Sequence, residues 1–429
     1  MTTALAALLA VCAAQEKPRP LLRDFLGING HTVQFRPKLY RPVCRLVRDY
    51  HPVEWDLGKD SDFETTFPFA RNRVDWSRVY GSWVAEGFEI DASLMFANFP
   101  KEAWKDPARD ARAYGRAFAK AFGPSSPAKL VASAEIGNEP GFYPDAFYRT
   151  IFEAMARGLR EGDPAIRIAT CAATAGKSHD YAKSLECVKG LEALYDVINV
   201  HSYAELEPWP TWRRSFPEDP RLPDYLPHVR RVLAWRDAHA PGKPVWLTEF
   251  GWDATTKENE KTGDFTKWVG VSDEQQAQYL VRSTLLFLML DLARAYVYFF
   301  NDEDKPSLHA SSGITRNFEP KPSYHALAHL MKTLGDFRLA RVRENRPGEL
   351  CVFEFSHESD ARRRVLAVWS PTGSGRKAEA RVPLEGARLV RAERMPLAAG
   401  EVPAAAVPVR DGAAAVPLEE TPIYLVLER

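Results

Sequence analysis

"KLVASAEIGNEP", residues 129–140, is an apolar run that ends abruptly in an amide, an acid and a proline. Its first nine residues carry no polar alternation, which is the pattern of a strand buried on both faces. Pro140 cannot extend such a strand, so Asn138 and Glu139 fall at its C-terminal end. A polar turn is the plainer reading of this stretch taken alone, and a functional rim is the other. The segments on either side separate the two.

Seven further runs read as strands: "FLGING" (25–30), "CRLVRDY" (44–50), "FEIDASLMFA" (88–97), "IRIATCAAT" (166–174), "DVINVHSY" (196–203), "PVWLTEF" (244–250) and "AYVYFF" (295–300). Helical patterns lie between or after them at 75–87, 108–123, 145–162, 228–240, 273–294 and 321–335. The helix over 145–162 shows its stripe at Phe147, Ile151, Met155 and Leu159. Repeated strand–helix alternation predicts an α/β fold, a (β/α)8 TIM barrel over 20–336. The first connection, short and rich in Arg and Pro, and the fifth lack a clear helix. After Gly335 the pattern changes to short strand candidates between turn signals, which predicts a small all-β, sandwich-like domain over 337–429. "SPTGSGR" within it is a hairpin loop, because a phosphate loop requires a Lys-Ser/Thr ending and a following helix.

Composition narrows the function classes. The 429 residues carry 57 Lys+Arg and 57 Asp+Glu, so no net charge favours nucleic acid or an anionic membrane. The apolar run Ala4–Ala14 has signal-peptide length and a small-residue end, so residues 1–14 are expected to be a leader and the protein secreted or periplasmic, with a lipoprotein anchor at Cys12 the lesser alternative. No segment reads as an integral membrane helix. Cys44, Cys171, Cys187 and Cys351 lack metal-type spacing; a Cys171–Cys187 disulfide is open, with buried thiols the simpler reading.

In a barrel of this type, reacting groups project from the C-terminal strand ends. Those ends offer Arg48 and His51 on strand two, Asn138 and Glu139 on strand four, His201 and Tyr203 on strand six, and Glu249 followed by Trp252 on strand seven. Two carboxylates facing each other across a barrel mouth suit glycoside hydrolysis, with retention of configuration at a separation of roughly 5–5.5 Å. The attacking carboxylate needs cationic or donor neighbours, a role open to Arg48 and Tyr203. The proton donor needs an apolar or like-charged setting. Asn138 is placed to hold a sugar 2-hydroxyl. Trp252 is a stacking candidate, as more weakly are the loop residues Trp55, Trp209, Trp212 and Trp268. The acidic run Asp302-Glu303-Asp304 reads as a solvated loop. No His-x-His or carboxylate cluster marks a metal site, and no cofactor motif is present.

"GNEP" ending strand four and "TEFGW" ending strand seven resemble the clan A retaining glycoside hydrolases. "NVHSY" on strand six, "RLVRDYHPVEWD" on strand two and "GITRNFEPKPSYHAL" (313–327) add to the resemblance, which spans about 25–335. Barrel plus β-domain resembles the β-xylosidase and α-iduronidase family and related exopolysaccharide hydrolases. The resemblance implies that Glu139 is the acid/base, Glu249 the nucleophile, His201 a sugar-site residue, Tyr203 a neighbour of the nucleophile and Arg48 its cationic partner. Many clan members carry a Trp platform at the end of strand eight; here only Phe299 or Phe300 is on offer. The expected activity is hydrolysis of β-linked oligo- or polysaccharide. A transglycosylase using the same residues and a carbohydrate-binding pseudoenzyme are the alternatives. Sugar identity, linkage, endo or exo action and oligomeric state have no signature in the chain.

Overall fold

Runs of apolar residues that hide both faces form the centre of the molecule, as their lack of alternation requires. The computed structural model describes residues 18–62 and 64–429. The expected leader at 1–14 lies outside them. Eight parallel strands form the barrel: β1 (Leu26–Asn29), β2 (Leu46–Pro52), β3 (Glu89–Met95), β4 (Ser133–Ile136), β5 (Arg167–Thr174), β6 (Val197–His201), β7 (Val245–Phe250) and β8 (Arg294–Val297). Each pairs with its sequence neighbour, β8 returns to β1, and the β4–β5 pairing completes the circle. Register places Asn29 beside Arg48, and Arg48 beside Asp91, on adjacent strands.

Among the described residues, the longer helices cover the barrel: α1 (Trp76–Ala85), α2 (Pro107–Phe122), α3 (Asp145–Gly162), α4 (Leu226–His239), α5 (Asp273–Leu288) and α6 (Pro322–Leu334). Their starts are chemically marked. Asp75 accepts from the Arg78 amide, Asp106 from the Arg109 amide, and Ser272 with Gln275 forms a reciprocal capping box. The pattern over 273–294 overshoots: α5 stops at Leu288. The first connection holds only single turns, including Pro37–Tyr40, and the fifth only 3-10 turns at Leu185–Cys187 and Glu192–Leu194. Neither is long enough to offer a repeated apolar stripe to the sheet.

Two antiparallel sheets follow. One holds β9 (Phe337–Arg346), β10 (Leu350–His357), β11 (Arg363–Trp369), β13 (Arg388–Arg394) and β16 (Ile423–Glu428); the other holds β12 (Ala378–Pro383), β14 (Val409–Arg410) and β15 (Ala413–Leu418). β9 is largely polar and half-exposed, and β15 is Ala-rich, so neither has the β-branched signature of a strand. The central strands of the five-stranded sheet, β10, β11 and β16, are buried on both faces. Val352, Leu366, Val368, Leu425 and Leu427 pack toward the smaller sheet, while Phe353, Phe355, Trp369 and Tyr424 belong to the barrel's own core. Between the two units Arg282 on α5, fully buried, donates to Glu218 and to the Thr372 carbonyl, and the Trp369 indole also donates to Glu218 at 2.7 Å. Cys44, Cys171, Cys187 and Cys351 are free and buried; Cys171 and Cys187 form no disulfide.

Candidate active site

At the C-terminal mouth, β2 turns alternate residues toward the barrel axis. Arg48 and Tyr50 point in; Asp49 and His51 point out. Arg48 is fully buried and spans several strands. Its Nε and Nη2 each lie 2.8 Å from a Glu135 oxygen on β4. Nη1 donates to Asn29 Oδ1 at 2.9 Å and to Glu249 Oε1 at 3.1 Å, and Nη2 also reaches Asn138 Oδ1 at 2.7 Å. A guanidinium is the one side chain with enough fixed donors for this set.

Consecutive strand residues ordinarily face opposite ways, yet Asn138 and Glu139 both reach the mouth. Gly137 breaks the alternation with φ at +87°, a conformation that L side chains resist, and an added Cβ would press within 3.0 Å of the Phe96 ring. Glu139 then meets Nδ1 of His201 on β6 at 2.8 Å, and the same nitrogen lies 3.5 Å from Glu249 Oε2.

Glu249, on β7, accepts from Tyr50 at 2.6 Å through Oε1 and from Tyr203 at 2.7 Å through Oε2. Burial works against its charge. His201, Arg48 and the two hydroxyls outweigh that cost and hold the carboxyl at about 2. Burial also opposes a charged His201, but Glu249 and Glu139 raise its imidazole above the ordinary range. Behind them, burial pushes Glu135 up to about 7 against the pull of Arg48. Glu139 is the more open of the two facing carboxylates, its side chain 31% exposed against 6% for Glu249. One ligand atom each from Glu139, His201 and Glu249 lie within 4.8 Å of one another. The geometry of this trio suits a small cation, but its charge does not: Arg48 and two hydroxyl donors already occupy the Glu249 oxygens.

The structure thus brings together Arg48, Asn138, Glu139, His201, Tyr203 and Glu249. Two expected members stand elsewhere. His51 is fully buried on the outer side of β2, its ring nitrogens 2.8 Å from the Tyr80 hydroxyl and 2.7 Å from Asp56. Trp252 is also fully buried, donates to the Ser215 carbonyl at 2.8 Å and packs on Tyr225 and Tyr279. It lies three positions past Glu249, on the opposite face. Of the loop tryptophans, Trp268 is buried and Trp209 is 64% exposed. Phe300 is buried against Phe35 and Tyr40, and Phe299 packs on the core, so neither is the strand-eight platform. Asp302 and Asp304 are buried beside Lys321 and Arg316 rather than solvated.

The residues that the sequence reading missed are aromatic or basic. Tyr50 shares its parity with Arg48, which was a usable signal. Tyr298 sits two positions beyond Tyr296, just past β8, with ring centroids 6.4 Å from both Tyr50 and Tyr203. Arg214 and His309 come from loops and carried no signal. The Arg214 guanidinium lies 4.1 Å over the Tyr203 ring and pairs with Asp253 at 3.1 Å. His309 packs edge-on to Tyr203 at 4.8 Å, and burial with Arg214 lowers its imidazole to about 4.

No family model and no curated protein matches the chain. Solved structures do. A family 39 glycoside hydrolase from Bacteroides cellulosilyticus superposes with a TM-score of 0.71 at 18% identity, over 96% of this chain and 81% of that one. A glucosidase from Croceicoccus marinus gives 0.65 at 13% identity, over 96% and 97%. A family 51 α-L-arabinofuranosidase from Bifidobacterium longum gives 0.62 at 12%, over 97% and 98%. At these identities the likeness is one of fold, and it runs over 96–97% of this chain, barrel and β-domain together.

Proposed function

We propose that the protein is a retaining glycoside hydrolase acting on β-linked oligo- or polysaccharide, with Glu249 as nucleophile and Glu139 as acid/base. One observation carries the reading. An oxygen of Glu139 and one of Glu249 lie within 4.8 Å, close to the spacing that leaves room for a sugar carbon but none for an intervening water. The held charge on Glu249 and the openness of Glu139 support these roles.

In the first step a Glu249 oxygen bonds to the anomeric carbon, and the glycosidic bond breaks as Glu139 gives its proton to the departing oxygen. In the second, water attacks the same carbon, Glu139 takes the water's proton, and Glu249 leaves as carboxylate. His201 Nδ1, between the two carboxylates, donates to whichever bears charge. Asn138 accepts from Arg48 through Oδ1, which leaves its amide protons for the sugar 2-hydroxyl. Tyr298, whose ring meets those of Tyr50 and Tyr203 edge-on, is the candidate platform for the reacting sugar. The Ala4–Ala14 run supports a secreted or periplasmic enzyme.

Incubation with a panel of 2-deoxy-2-fluoro-β-glycosyl fluorides tests this. The expected result is one fluoroglycosyl adduct per chain, carried on the peptide holding Glu249. An adduct on another residue overturns the assignment. Saccharide binding with no adduct and no turnover points instead to a binding protein.

A further inference from the structure

Two loops on the Glu139 side of the mouth carry exposed aromatic side chains. Phe142, three residues past Glu139, is 83% exposed, and Tyr181, on the loop after β5, is 47% exposed. The His179 ring packs edge-on to Tyr181 with centroids 4.3 Å apart. Single exposed aromatics are ordinary. These two stand on loops that are locked to each other. The buried Lys183 donates to the Gly141 carbonyl at 3.1 Å, to the Tyr143 carbonyl, and to Asp145 at 3.3 Å. Gly141 lies so close to the other loop that an added Cβ would fall 1.8 Å from the Asp180 carbonyl oxygen. The His179 amide, bonded to the Ala182 carbonyl at 3.0 Å, closes the turn that presents Tyr181. Rigid aromatic surfaces bind at little entropic cost.

The position of these rings follows from the chemistry. A general acid stands beside the oxygen it protonates, so whatever that oxygen leaves with lies on the acid's side of the cleft. The Glu139 carboxylate acts on both neighbours. Dehydration of its hydroxyl, with Glu139 next, pushes Tyr181 up to about 12. Burial lowers the His179 imidazole against the opposing pull of Asp180 and Glu139.

We propose that Tyr181, His179 and Phe142 form the subsite for the departing sugar, so that the preferred substrates carry a glycosyl ring, not a small alcohol, on the leaving side. The inference rests on the glycosidase reading. Aromatic faces match the C–H faces of a pyranose, and the Tyr181 hydroxyl and His179 supply the polar edge.

The test compares two probes in wild type, Tyr181→Ala and Tyr181→Phe. One is a set of β-gluco-, xylo-, galacto- and manno-configured glycosyl fluorides, whose leaving group has no ring. The other is the set of matching β-1,4 disaccharides. For the accepted sugar, Tyr181→Ala should lower the disaccharide-to-fluoride ratio of kcat/KM by about tenfold. Tyr181→Phe should restore most of that ratio. An unchanged ratio in Tyr181→Ala overturns the subsite, as does wild-type turnover of a fluoride with no turnover of any disaccharide. A wild type inert toward every fluoride fails at the glycosidase reading itself, which separates the two failures.

Discussion

The Tyr203 hydroxyl donates to Glu249 Oε2 at 2.7 Å, on the side of the carboxylate opposite Arg48, which reaches Oε1 at 3.1 Å. Nearly every lone pair of Glu249 that does not face the cleft is taken. Against the cost of burial, the neighbouring His201 imidazole and these donors hold the pKa of an almost fully buried carboxyl down at about 2.

The proposed mechanism requires the ionised form, so kcat/KM is expected to fall as pH drops through the Glu249 pKa. Tyr203→Phe removes one donor to the anion and raises that pKa. The acidic limb of the pH profile is expected to move upward by about 1–2 pH units, the equivalent of one hydrogen bond to a charge. A limb that stays in place would mean that Tyr203 contributes packing alone.

Glu135 bonds Arg48 through both oxygens, and neither side chain is exposed to solvent. Glu135→Ala leaves the guanidinium without its main counter-charge, and removing one partner of a buried pair costs about 3–5 kcal/mol. Glu135→Gln, which keeps the shape and one acceptor, should cost less. Urea denaturation of both variants checks the order, and kcat should fall in both because Arg48 also positions Glu249.

Trp369 of β11 is buried in the barrel's core and shares Glu218 with Arg282 of α5. Trp369→Ala is expected to destabilise the whole chain by about 3–5 kcal/mol, in one transition rather than two. A chain ending at Gly335 should fail to yield a soluble barrel, because Phe353, Phe355 and Tyr424 no longer cover its helices. Two separate calorimetric transitions, or a stable truncated barrel, would show the β-domain to be dispensable.

Glu354 is held at about 2: burial opposes its charge, and hydrogen bonds from Arg343 and Arg341 outweigh burial. Its folded pKa lies below the unfolded value of about 4.3. The stabilisation is therefore present above that value and is lost as pH falls toward 2. Glu354→Gln should lower the melting temperature at neutral pH and flatten its dependence on pH between about 4.3 and 2.

Glu139, His201 and Glu249 have the spacing of a cation site but the neighbours of an ion-pair site. Dialysis against EDTA is expected to leave turnover of glycosyl fluorides unchanged. Loss of activity that zinc or manganese restores would convert the trio into ligands and overturn the proposed nucleophilic role of Glu249.

Much of this molecule is written in short-range pattern. All eight barrel strands lie within or close to the runs read from the chain, because a strand covered on both faces must be continuously apolar. The order of Asn138-Glu139 on β4, His201 and Tyr203 past β6, and Glu249 on β7 follows directly, since strand ends are local features. Turn-borne Arg214 and His309 lie outside such reasoning, because nothing in a loop's composition says which strand end it folds over.

By itself, then, the chain determined the alternation of strand and helix, the change to β-structure after Gly335, and the place of each acidic residue along its strand. The three-dimensional fold alone decided which side chains look inward. On β2 every residue from Leu46 to Pro52 is buried, so hydrophobicity cannot distinguish the axis from the helical layer. Closing the barrel sets the rotation of each strand about its own length; it turns Tyr50 toward Glu249 and His51 toward Asp56, and the left-handed Gly137 carries Asn138 and Glu139 together into the mouth.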